Sequence, residues 1–131
     1  MGVPLNQEIV NDTAKLIMHR LIARDLARDP SLVERARISH ARASERFPDR
    51  SFTREWDDLL RLPASEVRSR LRSCDRNMNR LRLSSPFVTA DGVDFTDPIL
   101  RHRIWRAANR LVARAAHLAA SRYRRGLPPA G

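Results

Sequence analysis

The stretch Arg80–Pro98, RLRLSSPFVTADGVDFTDP, decides how this chain folds. The sequence on either side of it has helical periodicity, and this stretch breaks the pattern. Arg80-Leu81-Arg82-Leu83 alternates with period two, which is a strand signal. Met78 and Leu81 also suit a short helix over 73–83, and we favour the helix. Ser84-Ser85-Pro86 then stops it, because the residue before a proline is driven to extended backbone. Asp91-Gly92 is the dipeptide favoured in two-residue type I′ hairpin turns. Paired across that turn, Ala90 opposes Val93 and Val88 opposes Phe95, giving one apolar face. Such a hairpin is marginal alone and would have to dock on helices. The competing reading of 87–96 is an irregular loop with Phe87 and Phe95 buried. Asp97-Pro98 closes the stretch as the N-cap and first residue of a new helix.

Upstream, Leu5, Ile9, Val10, Ala14, Ile17, Leu21 and Ile22 recur at helical spacing and predict a helix from Leu5 to about Arg28. Asp29-Pro30 is the expected cap and start of a second helix, supported by Leu32, Val33, Ala36 and Ala43 and ending near Arg46. The residues 47–51 form a loop. Thr53 is the expected cap of a third helix through Leu62 that turns Trp56, Leu59 and Leu60 inward. Pro63 opens a fourth, with Val67 and Leu71. Downstream, the last helix runs to about Arg125 and stops at Gly126 ahead of Pro128-Pro129. The expected architecture is all-α, a compact bundle of about five helices with a long C-terminal helix and at most one small β-hairpin over 87–96. We expect a single domain over 1–125 and a short flexible tail over 126–131.

The composition fits that reading. Of 131 residues, 42% are hydrophobic, 31% charged and only 5% aromatic, so the core must be built from Leu, Ile, Val and Ala. One cysteine, Cys74, excludes an internal disulfide and fits a reducing compartment. No stretch approaches the roughly 18 uncharged apolar residues of a membrane span, and we expect a cytoplasmic protein with no membrane partner.

The net charge of +10 is unevenly placed, and Lys15 is the single lysine among 25 basic residues. Residues 1–60 hold ten basic and ten acidic groups, residues 61–97 seven and five, and residues 98–131 eight and none. On a helical wheel, Arg103, Arg106, Arg110 and Arg114 fall within roughly 80° of one another. Leu100, Ile104, Ala108, Leu111, Ala115 and Leu118 lie on the other side. Arg122, Arg124 and Arg125 extend the charge into the C-terminal turn, where they also complement the helix dipole. Like charges at i,i+4 repel by a few tenths of a kcal/mol per pair, so an anionic partner would relieve the ridge. We take these seven arginines as the candidate partner- or phosphate-binding set. A secondary cluster is Arg68, Arg70, Arg72, Arg76, Arg80 and Arg82, which alternates around its short helices and reads as solvated charge.

Catalytic patterns are missing from the sequence. His19, His40, His102 and His117 form no i,i+4 pair, and with one cysteine they make no zinc motif. His19 and His117 sit near apolar positions and read as partly buried. Gly2, Gly92, Gly126 and Gly131 are too far apart for a phosphate loop. Glu55, Asp57 and Asp58 suit the positive start of a helix. The aromatics are too dispersed for base stacking, and Trp105 reads as packing. No catalytic residue, metal or cofactor is implied.

Two binding classes remain. The Arg-rich helical layout over Arg54–Phe87, with LRLSSPF at Leu81–Phe87, loosely resembles small bacterial antitoxin-type proteins encoded beside toxin genes. The resemblance implies a tight complex in which a non-catalytic regulatory subunit neutralises a protein partner. The alternative is a DNA- or RNA-binding regulator. In its winged-helix form, Arg68, Arg70 and Arg72 would lie on or near the groove-facing helix and Asp91-Gly92 would be the wing tip, which needs 80–83 to be a strand. Without a wing, the last helix would bind phosphates non-specifically.

Overall fold

In the computed structural model, residues 6–48 and 50–126 are described. Every regular element among them is helical: α1 (Gln7–Arg28), α2 (Leu32–Arg46), α3 (Ser51–Leu60), α4 (Ala64–Leu71), α5 (Arg76–Leu81), a 3-10 turn (Arg82–Ser84) and α6 (Pro98–Arg124). The all-α expectation holds, with six α-helices where about five were expected. Of the expected tail, only Gly126 is a described residue, and Leu5 at the start of the first helix also lies outside them.

α1 is the centre of the packing. It lies along α6 and α4 and touches α2, α5 and the 3-10 turn, while α2 packs on α3. Its buried face is Val10, Ala14, Met18, His19, Ile22, Ala23 and Leu26. Ala14, Ala23, Ala36 and Ala108 are fully buried, and these small side chains bring the helices close together. The face is rotated from the expected one: Ile9 is 50% exposed, and His19 takes a core position. The polar His19 is invisible to apolar periodicity, which shifted the predicted stripe. α2 differs in the same way. Ala43 is exposed, and His40 completes the inward face with Val33 and Ala36.

Several helix starts also differ from expectation. Asn6 caps α1, accepting from the amides of Glu8 and Ile9. Asp29 turns the chain by accepting from the amide and hydroxyl of Ser31, and α2 begins after that turn, at Leu32. Thr53 is inside α3, where its hydroxyl donates to the Phe47 carbonyl (3.3 Å). Pro63 precedes α4 as expected. Asp97 caps α6 by accepting from the Ile99 amide, with Pro98 in the first turn, and Gly126 takes φ +68° just beyond the end.

The deciding stretch is helix, then turn, with no strand among the described residues. Residues 76–84 continue from α5 into the 3-10 turn, so the period-two pattern over 80–83 was not a strand. Ser85 is extended (φ −66°, ψ 123°), as its proline requires. The Asp91-Gly92 turn exists: the Val93 amide donates to the Ala90 carbonyl (3.1 Å). Of the two central residues only Gly92 has positive φ (+85°). A type I′ turn needs positive φ at both central residues, so this is a type II-like turn that does not align two strands. Of the two readings of 87–96, the hairpin is not formed and the irregular loop is. Phe87, Ala90 and Phe95 are buried in it, and Phe87 meets Trp56 edge-on at 6.2 Å.

Gly92 fixes this crossing twice. Its φ is unfavourable for an L side chain, and a Cβ there would meet the Arg35 guanidinium. Gly92→Ala should lower the unfolding free energy by about 1–2 kcal/mol. The neighbouring Asp91→Ala, at an exposed side chain, should change it by less than about 0.5 kcal/mol. Urea unfolding of the two variants checks the difference.

Candidate functional site

The arginines of the sequence separate into distinct roles. Those of α6 are surface groups: Arg103, Arg106, Arg110, Arg114, Arg124 and Arg125 are exposed, and Arg122 is half-buried. The ridge predicted from the wheel is thus physically presented. The other face of α6 is covered only along its first half. Ile104 and Ala108 are buried, Leu100, Trp105 and Val112 pack against the core, and Arg101 stacks over the Trp105 ring at 5.3 Å. Beyond Val112 the helix leaves the body. Every residue from Ala113 to Ala120 is exposed, and Leu111, Leu118 and Tyr123 are 48%, 50% and 86% exposed. Leu111, Ala115 and Leu118, expected to face the core, do not reach it, and His117 is exposed rather than partly buried. Periodicity specifies which face is apolar but not whether another element lies opposite. From Ala113 to Ala120, about 12 Å of amphipathic helix is left uncovered by the described residues.

The secondary cluster does not form one patch. Arg80 pairs with Glu55 and with Asn77 (2.8 Å). Arg70 and Arg76 are exposed. Arg68 donates through Nε to the Ala23 carbonyl (3.2 Å), tying α4 to α1, and it shares a recess with Arg72 and with Arg20 of α1. Arg82 departs most from the solvated expectation. It is 1% exposed, and its guanidinium donates to Asn79 Oδ1 (2.9 Å), to the Leu71 carbonyl (3.0 Å) and to the Ser73 carbonyl. No carboxylate lies within 4 Å of it among the described residues. Burial lowers its pKa from the usual guanidinium value, opposed by Cys74 and Asp75. Arg82→Lys would keep the charge but lose the fork that reaches three acceptors. We expect a loss of about 2–3 kcal/mol in thermal or urea unfolding.

Two histidines are buried: His19, which the sequence places near apolar positions, and His40, for which it carries no such sign. His19 is fully buried, with Nδ1 at 2.7 Å from the Lys15 carbonyl and Nε2 at 2.7 Å from Ser85 Oγ. A carbonyl only accepts, so Nδ1 carries the proton and the Ser85 hydroxyl donates to Nε2. This is the spacing of a serine–base pair, but the environment differs from that of a catalytic one. Burial is the main cause that lowers the His19 pKa to about 4, so it is a weak base at neutral pH. Its orienting group is a neutral carbonyl, and the Ser85 oxygen also accepts from the Phe87 amide (3.3 Å). We assign the pair to holding α1 against the break at 84–86. His40, also buried, donates from Nε2 to Asp57 (2.8 Å) and the Thr53 carbonyl (3.1 Å), joining α2 to α3. Among the described residues no three His, Cys, Asp or Glu side chains gather as a metal site. No helix is long and apolar enough to cross a membrane.

Comparison with protein-family models, with characterised proteins and with solved structures produced no match.

The buried His19–Ser85 contact predicts a pH dependence. His19 has a folded pKa near 4 against 6.5 for the free group, so as pH falls the unfolded chain takes up its proton first. The stability is complete above about pH 6.5 and is lost between there and about pH 4. The loss is on the order of 3 kcal/mol. Chemical denaturation at a series of pH values should show this slope in the wild type. His19→Gln should flatten it.

Proposed function

We propose that this protein is a non-catalytic binding and regulatory subunit that captures an acidic protein partner through the exposed stretch of α6 beyond Val112. One observation carries the reading: every residue from Ala113 to Ala120 is exposed and Leu111 is half exposed, so no described residue covers the apolar or the basic face of α6 there. A helix laid in an apolar groove is a standard mode of protein recognition, with anchors spaced as Leu111, Ala115 and Leu118 are. Arg110 and Arg114 flank that stripe and call for acidic groups on the groove's rim.

The apolar stripe separates this mode from the alternatives. Nucleic acid would satisfy the arginines but leave Leu111 and Leu118 in water. The winged-helix form lacks its strand and its wing. The Ala-rich stripe is shallow, which suits close helix packing better than insertion among lipid chains. Pairing of α6 with a second α6 would stack one basic helix on another. The antitoxin-type resemblance gives the proposal its finer form, in which guanidiniums occupy the place of substrate phosphates in a neutralised enzyme. The residues that carry that resemblance, Leu81–Phe87, mostly serve the core, so the docking arm is a separate part of the chain.

The test is affinity capture from the native host with mass spectrometry, with and without nuclease. The wild-type chain should retain a stoichiometric protein in both conditions. The double variant Arg106→Glu/Arg110→Glu and the single variant Leu118→Asp should each weaken capture about tenfold or more. Because these side chains are exposed, their melting temperatures should stay within about 2 °C of the wild type. A partner that disappears with nuclease, or capture unchanged in both variants, overturns the proposal.

A further inference from the structure

We propose that the recess between α1 and α4 is a binding site for the phosphoryl group of a small phosphomonoester. The recess measures about 320 Å³ and is lined by Arg20, Ser65, Arg68, Ser69 and Arg72. Four of these come from one short segment. Ser65, Arg68, Ser69 and Arg72 are spaced i, i+3, i+4 and i+7, so they share one face of α4 and its C-cap. Arg20 faces them from α1.

The side chains are arranged as an anion would require. Arg68 is held in place by its Nε–H bond to the Ala23 carbonyl, and its two Nη groups make no hydrogen bond to another described residue. Arg20 and Arg72 are exposed and have no carboxylate within 4 Å among the described residues. The Ser65 and Ser69 hydroxyls make no hydrogen bond to another described residue. Elsewhere in the fold, arginines that meet across elements are offset: Arg35 by Asp29, Arg80 by Glu55, and Arg82 by carbonyls. Here three cations face one small space, and no carboxylate among the described residues lines it.

The donor set indicates the ligand class. Three guanidinium forks and two hydroxyls exceed what the two oxygens of a carboxylate can accept. A phosphomonoester offers three terminal oxygens and close to two negative charges. The open recess, about 320 Å³, has room for one such group with a small substituent. An extended polynucleotide would need a groove.

The test uses the full chain at low salt, titrated with inorganic phosphate and with glycerol 3-phosphate, and followed by amide and arginine Nε–H NMR shifts. One-to-one saturable shifts confined to α1 and α4 are expected with both probes. Arg20→Gln and Arg72→Gln should each weaken binding about tenfold, the loss of one charged hydrogen-bonding partner. Arg68 also joins α4 to α1, so Arg68→Lys, which keeps the charge and loses the fork, is the variant there. It should weaken binding while the spectrum stays folded. Arg54→Gln, at an exposed position of α3 outside both sites, should leave binding unchanged. Non-saturating shifts, or an equal loss in Arg54→Gln, overturn the proposal. A short single-stranded oligonucleotide that binds the recess more tightly than glycerol 3-phosphate also overturns it, in favour of a nucleic-acid contact.

Discussion

The fold depends on a set of hydrogen bonds that converge on the helix break at Leu81–Ser85. Trp56 Nε1 donates to the Leu81 carbonyl (3.1 Å) and to Ser84 Oγ (3.3 Å). Ser85 donates to His19, and Arg82 reaches back to the end of α4. Three helices, α1, α3 and α4, are therefore referenced to one short segment. Each donor is buried, and a buried polar group without a partner costs about 1–3 kcal/mol. That penalty makes the arrangement selective as well as stabilising. The only buried side-chain nitrogen or oxygen without a partner among the described residues is Arg82 Nε.

This set of bonds explains how a core with so few aromatics can be specific. Aliphatic side chains fill space but tolerate repacking. Trp56 and Phe87 supply one fixed aromatic contact, and His19 and His40 supply directional bonds from α1 and α2. Once the break is fixed, Phe87 and Phe95 anchor the crossing and Asp97 launches α6 along α1. α6 continues past Val112, and no described residue covers residues 113–120.

The arginines show where sequence reasoning stops. The α6 ridge was legible because one helix carries it, and the angle between residues on one helix is fixed. The cluster at 68–82 was not, because it spans α4, α5 and the turn that follows. Arg82 looked like its neighbours in composition yet became a core residue, since three acceptors met its guanidinium only after folding. Arg20 did not stand out at all; its relation to Arg68 and Arg72 exists only across α1 and α4. The i, i+3, i+4, i+7 spacing of Ser65, Arg68, Ser69 and Arg72 was the one local sign of that recess.

By itself, the sequence determined the helical class, the position of most helices, the Asp97-Pro98 launch, the Gly126 stop and the basic face of the last helix. These are local properties, set by periodicity, capping and proline geometry within a few residues. Only the tertiary structure decided that 87–96 is a crossing and not a hairpin, because a type II-like turn at Gly92 gives no strand register. It also decided that His19, His40 and Arg82 are interior and that Leu111, Ala115 and Leu118 are not. Burial depends on what lies opposite a residue, and no spacing along the chain carries that information.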